Sequence, residues 1–210
     1  MSTISLGVDF YKSDEVILLA SQFCLEEERR EFVCRLILES VALSKNVLIY
    51  SLAYKCEAFR NKLSEVVDRN FEGFDHIYIE GSCTLQAIER SIERIKDKSM
   101  DLIVVDYIEL IRFEGETSRE IAISKTFECF RQISKKFQTT VLLLGTLSKS
   151  YLAVRPPEWR DLKVGDLSFR NDVSRAYFLY QCTEGLGIGE FWDDAHGTSP
   201  ESAVPSRVRA

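Results

Sequence analysis

The chain has 210 residues, of which 45% are hydrophobic and 29% are charged, and its formal net charge is -6. This length suits one hydrophobic core, and the negative charge disfavours broad affinity for nucleic acid, since phosphate binding depends on lysine and arginine. No apolar run reaches the ~20 residues of a membrane span, and the N-terminus lacks the pattern of a secretion signal. The sequence therefore predicts a cytoplasmic protein without membrane contact.

The six cysteines form neither a CxxC pair nor the spacing of a metal site. Most of them lie in apolar or periodic segments, which is typical of buried free thiols. The two histidines, His76 and His196, are far apart in the sequence and give no histidine constellation. We therefore expect no metal site.

Short apolar runs alternate with helical patterns, which is typical of a parallel sheet with helices on both faces. The runs are apolar almost throughout, as in strands that are covered on both sides. The predicted strands are Val16–Ala20, Val47–Ser51, Ile77–Glu80, Leu102–Asp106, Val141–Leu144 and Ala176–Tyr180. We expect residues 1–193 to form one domain, and residues 194–210, rich in Gly, Ser, Pro and Ala, to form a disordered tail.

Several segments, in order and with similar spacing, resemble the ATPase domain of DnaB-type replicative helicases. The apolar strand that ends at Asp106, followed by Tyr107, is similar to the Walker B strand of that family. The segments 118–135, 141–150 and 155–180 are similar to the long helix, the sensor strand and the final strand region that follow it. One apolar strand ending in Asp has little specificity, but the collinear set spans about residues 6–182. The resemblance implies a RecA-like α/β fold, a parallel-sheet sandwich with helices on both faces.

The segment that corresponds to the phosphate-binding loop of the family lacks the residues that hold ATP. Such a loop uses glycines for close backbone approach, a lysine for the terminal phosphates and a Ser or Thr for Mg²⁺. Here the first strand is followed by Ser-Gln-Phe-Cys-Leu and then by Glu26, Glu27 and Glu28. Acidic residues stabilise the positive end of a helix, but they repel a triphosphate. We therefore expect neither ATP nor another cofactor.

Other positions also depart from what the resemblance implies for hydrolysis. Ala53 replaces the glutamate that activates water, and Thr146 replaces the glutamine that senses the γ-phosphate. The segment 181–189 has no basic residue to act as a finger on a neighbouring nucleotide, and its glycines follow the last predicted strand without leading into a helix. Asp106 remains as a remnant of Walker B, but one carboxylate without phosphate oxygens is a poor Mg²⁺ site. We predict no catalytic residue.

The most basic stretch lies between the fifth and sixth predicted strands. The resemblance implies that this region includes a loop that touches single-stranded DNA. Four interleaved acidic residues lower the attraction for phosphate and favour a surface loop of mixed charge, although a nucleic-acid or partner loop stays open. The basic residues are Arg155, Arg160, Lys163, Arg170 and Arg175.

Three functions remain. The leading hypothesis is a pseudo-ATPase that binds a protein partner, such as a helicase or another replication or recombination protein. The alternatives are an ATP-binding enzyme with a rearranged site, supported by Asp106, and an accessory protein that binds single-stranded DNA weakly through the basic stretch. The helicases that the chain resembles form hexamers through an N-terminal domain and a docking linker, and we do not expect this chain to form such a ring.

Overall fold

The structure, a computed structural model, describes residues 13–22, 25–66, 73–115, 118–148, 159–163, 168–182, 185–190 and 206–207. These residues form one eight-stranded sheet with four α-helices packed on its two faces. The strands are β1 (Val16–Ser21), β2 (Val47–Ser51), β3 (Ile77–Glu80), β4 (Leu102–Asp106), β5 (Thr140–Thr146), β6 (Arg175–Cys182), β7 (Gly185–Glu190) and β8 (Ser206–Arg207). The helices are α1 (Glu26–Ala42), α2 (Cys56–Val66), α3 (Leu85–Arg94) and α4 (Arg119–Phe137).

The strand order is β3-β2-β4-β5-β1-β6-β7-β8. Strands β1 to β6 are parallel, whereas β7 and β8 add antiparallel pairs at one edge. Strand β5 lies between β1 and β4, so the carboxyl ends of these three strands meet at one edge of the sheet. We call this edge, with the turns and helix starts that follow the strands, the carboxyl edge.

The sheet has a separate hydrophobic core on each face, because successive side chains of a strand point to opposite faces. In β1, Leu18 and Ala20 pack in the core with α3 and α4, while Ile17 and Leu19 pack in the core with α1 and α2. All six residues of β1 are buried. The central strands are therefore covered on both sides, which is why they are apolar throughout.

Polar side chains fix the starts of the two helices on the α3–α4 face. Thr84 Oγ1 accepts a hydrogen bond from Ala87 N at 3.3 Å, and Ser118 Oγ accepts one from Ile121 N at 3.4 Å. Each satisfies one of the backbone donors that the first turn of a helix leaves free. Helix α4 ends where Gln138 adopts a left-handed conformation, with φ of 51°.

The six predicted strands are confirmed, with β1, β5 and β6 slightly longer than predicted. The sequence pattern did not predict β7, which runs antiparallel to β6. Gly189 in β7 packs against Phe178 so closely that a Cβ there would lie 2.5 Å from the ring. In the predicted tail, residues 206–207 pair with β7, and the rest lies outside the described residues, so the domain boundary and the disorder stay predictions.

Among the described residues, no helix is long and apolar enough to cross a membrane. Within the same residues, no group of three His, Cys, Asp or Glu side chains is placed to hold a metal ion. Cys34 and Cys129 are buried, Cys56 is half-buried and Cys83 is exposed, and all four are free thiols. The cytoplasmic location stays a prediction.

Candidate functional site

The carboxyl edge brings together the sequence positions that were singled out around the nucleotide site. Ser21 ends β1 and pairs in register with Thr146 at the end of β5, and Ser51 ends β2 and pairs with Asp106 at the end of β4. In open α/β sheets, ligands bind at the carboxyl ends of the strands. This edge is therefore the candidate functional site.

The centre of the site is an ion pair between Asp106 and Arg29. Arg29 Nη2 lies 3.5 Å from Asp106 Oδ1, and the two side chains are only 2% and 1% exposed. Arg29 Nη1 also donates to Ser21 Oγ at 3.2 Å, and its guanidinium carbon lies 4.7 Å from the centre of the Tyr107 ring. One arginine from α1 therefore joins the ends of β1 and β4.

Arg29 was not predicted as a site residue from the sequence, where only the neighbouring glutamates at positions 26–28 were considered. A signal was present in the helical spacing, because Arg29 precedes the buried Phe32 and Val33 by three and four residues. Residues at that spacing share one face of a helix. Arg29 therefore lies on the buried face of α1, where a charged side chain needs a partner.

The surroundings of Asp106 alter its acidity and fix its backbone. Burial raises the pKa of Asp106 from an ordinary 3.8 to about 6, although the nearby Arg29 opposes the rise. The carbonyl oxygen of Asp106 accepts hydrogen bonds from Leu52 N at 2.7 Å and Ala53 N at 3.1 Å. The position where the resemblance implies a water-activating glutamate thus carries a methyl side chain beside Asp106.

Two of the glutamates at the start of α1 bind groups of the same chain. The Tyr54 hydroxyl donates to Glu26, which is half-buried, and Arg30 Nη2 donates to the exposed Glu27 at 2.7 Å. The Arg30 guanidinium carbon lies 4.8 Å from the centre of the Tyr54 ring. Glu28 is half-buried. The first turn of α1 is therefore acidic and tied to the β2–α2 connection.

Thr146, at the position of the implied phosphate sensor, is bound to a glutamate. Its backbone N–H and its hydroxyl both donate to Glu109 Oε1, each at 2.6 Å. Glu109 lies in the turn after β4, so this contact joins the ends of β4 and β5. Sequence reasoning gave no role to Glu109, because the contact depends on the placement of β5 beside β4.

The comparisons with known proteins identify the family and the fold of the chain. The family model described as the DnaB-like helicase C terminal domain matches residues 7–174. The chain belongs to this family. A search of the curated proteins found no match.

Two solved structures that resemble this DnaB-like domain are an ATPase domain and a replicative helicase. One ATPase domain superimposes with a TM-score of 0.68 at 15% identity, covering 86% of this chain and 77% of that chain. A DnaB-like replicative helicase, described with its interactions with primase, has a TM-score of 0.71 at 15% identity, covering 93% of this chain and 54% of that chain. The present chain thus spans about half of that helicase. The RecA-like fold is confirmed.

The basic stretch of the DnaB-like domain is divided between different parts of the fold. Lys163 is exposed near the carboxyl edge, where its N–H donates to the Thr146 carbonyl at 2.9 Å. Arg175 begins β6 at the opposite edge, paired with Glu15, and Arg170 lies 5.5 Å from the centre of the Trp159 ring. Arg155 and the side chain of Arg160 lie outside the described residues.

The register of the strands keeps Lys163 and Arg175 apart. Ile17 of β1 pairs with Arg175, and Ser21 of β1 pairs with Thr146, to which Lys163 is bound. Four residues of strand separate these levels, which corresponds to about 13 Å. The described members of the stretch therefore do not form one compact basic patch.

Proposed function

We propose that this DnaB-like domain has no ATPase activity and acts by binding a protein partner, such as a helicase or another replication or recombination protein. The observation that carries the proposal is the buried ion pair between Arg29 and Asp106. Asp106 ends β4, and the resemblance to the helicases implies that this carboxylate is a remnant of the Walker B motif of a nucleotide site. Here a guanidinium group of the same chain stands beside it.

The charge of Arg29 opposes a magnesium ion at Asp106. A Mg²⁺ ion about 4 Å from the guanidinium would be repelled by roughly 8 kcal/mol at an effective dielectric of about 20. If Mg²⁺ displaced Arg29 instead, the guanidinium would need a new partner away from Ser21 and Asp106. The residues at this edge therefore do not fit a magnesium–nucleotide complex.

The acidic start of α1 opposes the binding of phosphates, because like charges repel. Glu26 is held in place by the Tyr54 hydroxyl, close to the end of the helix. One carboxylate about 6 Å from a phosphate charge repels it by roughly 3 kcal/mol at the same dielectric. The lysine contacts that would offset this repulsion in a phosphate-binding loop have no equivalent in the sequence from Ser21 to Glu28.

A domain that keeps its fold without the chemistry needs another use, and recognition of a protein fits the acidic balance of the chain better than recognition of DNA. Two large apolar side chains at the carboxyl edge are accessible to a partner: Leu110 is 37% exposed and Ile121 is 48% exposed. The solved DnaB-like helicase was described with its interactions with primase, which makes primase a suitable candidate to test.

The experiment is a binding assay between the purified chain and the replicative helicase and primase of the same host, by size-exclusion chromatography and calorimetry. The proposal predicts a stable complex with a protein of this machinery, weakened by Ile121→Asp. Gln132→Asp, an exposed position further along α4, is the matched control and should leave the complex unchanged.

Binding to single-stranded DNA is measured in parallel at low and moderate salt. Tight binding with a steep salt dependence, together with no protein complex, would contradict the proposal and support the DNA-binding alternative.

A further inference from the structure

We propose that Arg29 is a tethered counter-cation that holds the ends of β1 and β4 together, and that its removal exposes a latent cation site between Ser21 and Asp106. The inference deepens the proposed function and rests on its premise that no magnesium–nucleotide complex occupies this edge. In place of a bound metal, Arg29 supplies the positive charge that stabilises the folded chain at this edge.

Asp106 depends on Arg29 for charge compensation. Asp106 is 1% exposed, and burying a carboxylate without a partner is very unfavourable. Among the described residues, Asp106 Oδ1 has no hydrogen-bond donor, and the cation nearest to it is the Arg29 guanidinium at 3.5 Å. The Arg29 guanidinium therefore compensates the negative charge of Asp106, and no hydrogen bond to Oδ1 from the described part of the chain adds to this compensation.

The other charges near the pair are more negative than positive. Glu26 and Glu109 act on Asp106 as further negative charges, whereas Arg30 acts as a positive one. Arg30 is engaged with Glu27 and with the ring of Tyr54. Without Arg29, three carboxylates would face one remaining arginine, and this imbalance favours the uptake of a cation.

Arg29 also connects two strands that are not neighbours in the sheet. Strand β5 separates β1 from β4, and the guanidinium connects Ser21 of β1 to Asp106 of β4. A free cation could replace the charge, because the Ser21 hydroxyl and the Asp106 carboxylate supply oxygen ligands. It could not replace the covalent link to α1.

A different explanation is that Arg29 serves only as a packing group against the Tyr107 ring. In that case its charge would be dispensable, and Arg29→Met would be as stable as the wild type. The two explanations therefore differ in whether removal of Asp106 compensates for removal of Arg29.

The test measures the melting temperature of four variants of the full chain: Arg29→Met, Arg29→Ala, Asp106→Asn, and Arg29→Met combined with Asp106→Asn. Arg35→Met is the matched control, because Arg35 lies on the same helix in an exposed ion pair with Glu31. Each is measured with and without millimolar MgCl₂ or methylguanidinium chloride, against NaCl at equal ionic strength.

We expect Arg29→Met to melt roughly 10 °C below the wild type, since breaking a buried ion pair leaves an uncompensated charge. The double variant should recover most of this loss, and Arg35→Met should match the wild type. Arg29→Ala should be stabilised by methylguanidinium, which restores the ion pair with Asp106, and not by Mg²⁺, because one carboxylate without phosphate oxygens is a poor Mg²⁺ site. The wild type and the double variant should respond to neither cation. If Arg29→Ala does not fold, recovery in the double variant alone supports the counter-cation.

The inference is overturned if Arg29→Met is as stable as the wild type, or if the double variant is no more stable than Arg29→Met. These outcomes leave the proposed function standing, because that proposal fails on a different result, the binding of Mg-ATP by the wild-type chain.

Discussion

Glu109 binds both polar hydrogens of Thr146: the backbone N–H and the hydroxyl each donate to Oε1 at 2.6 Å. Thr146 is only 3% exposed, so water does not replace these bonds easily. The contact fixes the turn after β4 against the end of β5. The same contact engages both hydrogen-bond donors of Thr146, the residue at which the resemblance implies a phosphate sensor.

Replacing Glu109 with Ala should destabilise the fold by about 1–3 kcal/mol, because it leaves a buried donor pair without its acceptor. Glu109→Gln keeps an acceptor oxygen and should cost less than half as much. Denaturant unfolding of the two variants measures the difference. Equal stability of Glu109→Ala and wild type would show that the contact contributes nothing.

The stability of the protein should depend on pH through Asp106. The folded carboxyl has a pKa of about 6 and the unfolded one has the ordinary 3.8, so the folded state holds the proton between these values. The protonated Asp106 therefore contributes at most roughly 3 kcal/mol to the free energy of unfolding. This contribution is fully present below about pH 4 and is lost as the pH rises to about 6. Asp106→Asn should remove this decline in a series of unfolding curves between pH 4 and pH 7. A decline of equal size in the variant would assign it to other groups.

Gly189→Ala should destabilise the chain by about 1–3 kcal/mol, because the added methyl group would lie 2.5 Å from the Phe178 ring. Phe178→Leu should relieve the overlap. Gly189→Ala should therefore cost less free energy of unfolding in the Phe178→Leu background than in the wild type. Thermal unfolding of the three variants measures this coupling. Additive effects would mean that Gly189 does not face Phe178.

Restoring Gly-Lys-Thr at positions 26–28 should not produce an ATPase. Ala53 has no group to activate water, Thr146 is bound to Glu109, and Arg29 remains beside Asp106. Catalytic groups that act as a unit are strongly non-additive, so one restored element leaves the rate near background. Release of phosphate from ATP measures the rate, with the same triplet carrying Ala in place of Lys as the control. Turnover above that control would show that the other catalytic positions were misplaced.

The sequence predicted the parallel strands well, because β2, β3 and β4 are short continuous apolar runs bounded by polar residues. It missed β7, since the glycines at 185, 187 and 189 leave little side-chain pattern to read. At the site, Asp106 and the acidic start of α1 were visible from their order along the chain. The partner of Asp106 was not, because a charged residue on a helix is usually solvent-exposed and its contacts depend on tertiary structure.

The most direct test of the central claim is calorimetric titration of the wild-type chain with Mg-ATP, accompanied by melting curves at the same concentrations. A ligand that binds only the folded state, at a concentration of 100 times its Kd, stabilises that state by about 2.7 kcal/mol. We predict no saturable heat and no change in melting temperature up to millimolar Mg-ATP. A saturable heat with a dose-dependent rise in melting temperature would contradict the account and favour an ATP-binding enzyme with a rearranged site.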